Sequence, residues 1–105
     1  MKKVFVSIPM RDKERSEVIS GQQKALSYLS EYLSEPLLLI ETFLDDNAST
    51  LECLGESIKR LSNADYVLFA EGWENARRCR IEHECAMEYG LKIFCEYEGS
   101  ITEKF

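Results

Sequence analysis

Tyr66-Val67-Leu68-Phe69 and Lys92-Ile93-Phe94-Cys95 are two short aliphatic and aromatic runs, and the stretch between them decides the fold. Ala70 to about Ala76 reads as a loop, followed by a helical segment that Gly90 closes as a left-handed C-terminal cap. A strand, a helix and a second strand in this order require a right-handed crossover and make the two strands parallel.

The same unit recurs towards the N-terminus. Lys3 to Ser7 reads as a first strand that Pro9 stops. Asp12 is the expected cap of a long helix reaching about Leu33, with Ile19, Leu26, Leu29 and Leu33 at helical spacing. Pro36 ends that helix, and Leu37 to Ile40 reads as a second, buried strand. Asp45-Asp46-Asn47 is loop. Ser49 with Glu52 forms a capping box, and Leu51, Leu54, Ile58 and Leu61 give the next helix its apolar stripe before Asn63 ends it. The tail from Glu96 to Phe105 carries no clear signal. The expected architecture is one α/β domain over residues 1–105. It is a three-layer sandwich of flavodoxin/Rossmann-like type, with four parallel strands in the order 2-1-3-4. Ligands of such sheets sit at the carboxyl ends of the strands where the order reverses. That places the loops Ser7 to Arg11 and Ala70 to Ala76 across a crevice from each other.

Composition narrows the function classes. Thirteen basic and nineteen acidic residues leave a net charge of -6, which disfavours duplex nucleic acid as a partner. No apolar run approaches a membrane span, and no signal-peptide pattern follows Met1-Lys2-Lys3. The expectation is a cytoplasmic protein with no membrane partner. Cys53, Cys79, Cys85 and Cys95 show no C-x-x-C spacing and there is one histidine, so no metal or redox cofactor is expected. Cys79 and His83 form a conceivable thiol pair, but a core role for Cys79 is preferred, and His83 falls on the outer side of its helix.

The third helix holds the chemistry. Advancing about 100° per residue, Ile81, Cys85, Ala86 and Tyr89 fall within an apolar arc of about 140°, and Glu82 falls inside it. A carboxylate facing a packed interface is either functional or paired, and Arg78, one turn earlier, is the available partner. Arg77, Arg78 and Arg80 crowd the end of the helix whose dipole disfavours cations. They either bind an anion or balance Glu71, Glu74 and Glu84. Trp73 either stacks on a base or seals the core edge.

Taken together, Ser7-Ile8-Pro9-Met10-Arg11 after the first strand, Ala64-Asp65 before the third, Gly72-Trp73-Glu74-Asn75 and Arg80-Ile81-Glu82 resemble the nucleoside 2-deoxyribosyltransferase-like superfamily over nearly the whole chain. Glu82, Ala86 and Gly90 match the glutamate, alanine and glycine that open the last conserved helix of the characterised transferases and deoxynucleotide N-glycosidases. The matching glutamate there is the nucleophile. Three departures stand out: Glu84 replaces a usual glycine, Asp12-Lys13 replace the glycines that the N-glycosidases place after the strand-one arginine, and Ser57 stands where those enzymes carry an acid. The resemblance implies a glutamate-nucleophile N-glycosyl hydrolase or transferase for (deoxy)nucleosides or their 5′-monophosphates. Glu82 would be the nucleophile and Glu74 the acid, with Asp45 or Asp46 as alternatives. Ser7, Ile8, Pro9, Met10, Arg11, Gly72, Trp73, Asn75, Arg77 and Arg80 would form the substrate site. It also implies a homodimer or higher homo-oligomer. The alternative is a non-catalytic nucleotide-binding or interaction protein on the same fold.

Overall fold

The apolar runs around Phe5, Val67 and Phe94 become strands because helices cover both of their faces. The computed structural model describes residues 1–104. In chain order the elements are β1 (Lys2–Ser7), α1 (Arg15–Leu33), β2 (Leu37–Leu39), α2 (Thr50–Leu61), β3 (Tyr66–Phe69), a 3-10 turn (Trp73–Asn75), α3 (Arg77–Glu88), β4 (Lys92–Tyr97) and β5 (Ser100–Lys104). They form one sheet in the order β2-β1-β3-β4-β5. The first four strands are parallel and β5 is antiparallel to β4.

The expected order of the first four strands therefore holds, but the sheet is five-stranded and mixed rather than four-stranded and parallel. The tail makes the difference. Glu98 and Gly99 both take positive φ (50° and 78°), which folds the chain into a two-residue hairpin turn. The preferred residues at the first such position are Asn, Asp and Gly, so Glu98 gave no turn signal. β5 covers the outer edge of β4. β2 is an edge strand, with Leu38 half exposed, rather than the buried strand that its leucines suggest.

Side-chain alternation sorts the core into two layers. Val4, Val6, Ile8, Leu68, Ala70 and Phe94 pack against α1. Phe5, Val67, Phe69, Ile93 and Cys95 pack with residues of α2 and α3 on the other face. This follows from the order: moving from β1 to β2 runs one way along the sheet, and the later crossovers run the other way.

Local signals held unevenly. The Ser49 cap stands, its Oγ accepting from the Glu52 N–H at 3.1 Å. The cap of α1 is Glu14, not Asp12: Asp12 sits in a left-handed turn (φ 62°), and the Glu17 carboxylate accepts from the Glu14 N–H at 3.1 Å. The buried face of α1 is Val18, Gln22, Ala25 and Leu29, with Ile19 outside it. Leu51, counted in the stripe of α2, is exposed. On α3 the buried residues are Cys79, Glu82 and Ala86, while Ile81 and Tyr89 from the expected arc face solvent. The packed face is rotated towards Cys79, and Glu82 stays within it.

Candidate functional site

The site begins at the last paired residue of β1. Ser7 pairs with Phe69 at the carboxyl end of the sheet, and its carbonyl accepts from the Ala70 N–H at 2.9 Å. Two residues after Phe5, its side chain points to the α3 face. There its hydroxyl donates to Glu82 Oε1 at 2.6 Å. Glu82 is fully buried, at 0% exposure. Its second oxygen, Oε2, accepts no hydrogen bond and lies 3.5 Å from Arg78 Nε. The hydroxyl of Ser57 on α2 is also buried with no partner at bonding distance, yet it stands close enough to the carboxylate to favour its charged form.

Burial pushes the Glu82 carboxyl above its ordinary pKa, against the opposing pull of the Ser7 hydroxyl, Arg78 and Ser57. A buried carboxylate with one free oxygen is costly, and such costs concentrate at functional sites. Burial likewise pushes the neighbouring Cys79 thiol up, and Glu82 adds to that, so Cys79 is held protonated. His83 belongs to a different cluster. Its ring stacks on Trp73 with centroids 4.3 Å apart and meets Phe69 edge-on at 4.9 Å, so it is half-buried rather than a surface residue.

A cleft of about 220 Å³ opens next to Arg78, and neither Ser7 nor Glu82 lines it. Met10, Lys13, Arg15 and Val18 line one side, Phe43 to Asp46 and Cys53 line the other, and Arg78 joins them from α3. Arg15 Nη2 donates to the Leu44 carbonyl at 3.1 Å, tying the walls together. Gln22 ties the loop after β2 to the sheet, its Nε2 donating to both Thr42 Oγ1 and the Val6 carbonyl. Arg78 Nη2 reaches Met10 Sδ at 2.8 Å.

The loops expected to face each other do so: a Cβ on Gly72, which has φ +87°, would stand 3.7 Å from Pro9 Cγ. The other proposed site residues scatter. Ile8 is buried in the α1-side core, and Met10 lines the cleft. Arg11, Glu74, Asn75, Arg77 and Arg80 are exposed and form no part of the cleft wall. Arg80 Nη1 donates to the Glu74 carbonyl at 2.9 Å. The three arginines therefore do not converge on one anion. Trp73 packs in the core against Phe69 and His83, which assigns it to sealing the core rather than to stacking on a base. Asp45 and Asp46 line the cleft where Glu74 does not.

No family model matches this chain, and no curated protein matches it significantly. Among the described residues, no three His, Cys, Asp or Glu side chains gather as a metal site, and no helix is long and apolar enough to cross a membrane.

Sequence reasoning read Arg78 both as the ion-pair partner of Glu82 and as one of the three arginines that either bind an anion or balance nearby carboxylates, and it missed Lys13 and Arg15 as cleft residues. Their position beside the first-strand loop was visible. The loop 43–46 that completes the cleft carried no signal for its position.

Proposed function

We propose that the chain is an N-glycosyl hydrolase or transferase acting on (deoxy)nucleosides or their 5′-monophosphates, with Glu82 as nucleophile. One observation carries this reading: a fully buried carboxylate lies where the strand order reverses, held by Ser7 through one oxygen and with the other free of hydrogen bonds. A Glu82 oxygen attacks the anomeric carbon. The bond from that carbon to the base nitrogen breaks, its electron pair leaves with the nitrogen, and an acid supplies the proton. Water or a second base then attacks the same carbon and frees Glu82. Asp45, Asp46 and Glu74 are all exposed, but the two aspartates lie in the cleft wall and suit the acid role better. The partner is a small molecule in the cytoplasm, and no metal or redox cofactor enters the scheme.

Incubation with a panel of deoxynucleosides and their monophosphates tests this reading through release of free base. No release from any of them sinks it. A second reading, a non-catalytic nucleotide-binding protein, is favoured by the complete occlusion of Glu82. Binding of panel members without turnover supports it. A homodimer belongs to the first reading, since Leu51, Ile81, Met87 and Tyr89 leave apolar surface uncovered on α2 and α3. A monomer mass by light scattering at tens of micromolar would count against the dimer.

A further inference from the structure

Arg78 connects the cleft to the buried carboxylate. Its guanidinium lines the cleft, yet its assigned contacts are Met10 Sδ and Glu82 Oε2, the latter at 3.5 Å. A guanidinium has five N–H donors, a thioether is a weak acceptor, and 3.5 Å is long for a charge-assisted bond. Arg78 therefore holds unused donor capacity. Lys13 and Arg15 stand in the same cleft, at the start of a 19-residue helix whose dipole favours negative charge there. Neither forms a salt bridge among the described residues. Asp45 and Asp46 oppose these three cations, and Asp45 Oδ1 already accepts from the Asn47 N–H.

The geometry points to a hydroxylated phosphate monoester as the ligand of this cleft, with its phosphate competing against Glu82 for the Arg78 guanidinium and uncovering the carboxylate. A phosphate offers the fork of Arg78 two acceptors at once, which the single long contact to Oε2 does not. The acidic wall repels a bare anion but accepts from sugar hydroxyls, and Asp46 is placed for that. The inference deepens the glycosyl-transfer reading and rests on it for its purpose: Glu82 has no exposure, and Arg78 is the cleft residue that reaches its second oxygen. Arg78 is then a positioning residue, whose exchange between two acceptors couples ligand binding to access.

Calorimetry with ribose 5-phosphate, inorganic phosphate and ribose tests this on the intact chain. Ribose 5-phosphate should bind at least about tenfold more tightly than phosphate, and ribose should not bind measurably. Lys13→Ala should weaken the ester about tenfold. Glu82→Gln, which removes the competing negative charge, should tighten it several-fold. Arg78→Ala is made in the Glu82→Gln background, where no charged carboxylate is left buried. It should erase that gain and cost a further tenfold or more, and Arg78→Lys should recover part of the loss. No binding of ribose 5-phosphate overturns the site. Affinity unmoved by Glu82→Gln overturns the competition for Arg78. The two readings fail separately. Arg78-dependent binding without base release from any nucleotide sinks the glycosyl reading alone. Base release from neutral nucleosides without ribose 5-phosphate binding sinks this inference alone.

Discussion

Gln22 and Glu82 are both buried polar side chains, on opposite faces of the sheet, and they attach to successive residues of the same strand. Gln22, on α1, donates to the Val6 carbonyl and to Thr42. Glu82, on α3, accepts from Ser7 through one oxygen and leaves the other without a hydrogen bond. Gln22 is neutral and its donors are used, so it works as a tie between sheet and loop. Glu82 carries a charge that burial opposes and half of its acceptor capacity is idle. Burial is the same in the two cases. Charge and satisfaction differ, and that difference is what supports the proposal of Glu82 as the nucleophile.

The largest expected difference is in turnover. Glu82→Gln should cut base release by on the order of a thousandfold or more while the melting curve stays cooperative. Retained turnover would remove Glu82 from the mechanism. Next, Arg78→Ala should destabilise the fold by about 2 kcal/mol at neutral pH, because it leaves a buried charge without its counter-ion. The cost should shrink in acid, where the carboxyl is protonated. Urea titrations at pH 7 and pH 5 measure both.

Gln22→Met keeps the volume and loses the donors. It should cost about 1–3 kcal/mol at either pH, since the Gln22 amide does not titrate. A pH-dependent cost there would break the contrast between the two faces.

A subtler contrast lies in the pH slope. The native pKa of Glu82 lies above its unfolded value, so the folded chain holds a proton that the unfolded chain has lost across the window between them. Stability from this group is complete in acid and falls as pH rises through that window. The stability of the native chain minus that of Glu82→Gln should therefore decline from below the ordinary carboxylate pKa upwards, then level off. A difference that rises with pH would show that Ser7 and Arg78 outweigh burial.

The smallest effects belong to Arg77→Ala and Arg80→Ala. Both side chains are exposed and outside the cleft wall, so each should change stability by less than about 0.5 kcal/mol. Neither should change affinity for ribose 5-phosphate. A tenfold loss in either would restore the arginine cluster as the anion site.

What the sequence disclosed follows the range of the interactions involved. β1, β3 and β4 were legible because each is a continuous apolar run, as strands covered on both faces are. Glu82 stood out because an isolated carboxylate among apolar residues at helical spacing has few bland explanations. The face itself was misjudged by weighing Ile81 and Tyr89 for hydrophobicity, whereas the contacts that place α3 run through Cys79 and Ala86. β5 was hidden by the unusual Glu98 in its turn. The cleft was hidden for a different reason. Its walls are joined by Arg15 to Leu44 and by Gln22 to Thr42, bonds that span 29 and 20 residues. No local pattern reports a loop folding back over a helix start that far away.

The hairpin at the end of the chain also fixes where the protein can be held. β5 runs back along β4, so Lys104 pairs with Ile93, while Lys2 at the start of β1 pairs with Leu37. Both ends of the described chain therefore emerge at the amino edge of the parallel strands, and the cleft opens at the carboxyl edge. The molecule can be tethered to a sensor surface, or joined to another domain, through either end with its opening turned away from the attachment. The proposed phosphate ester would then meet the cations of the cleft from the unobstructed side.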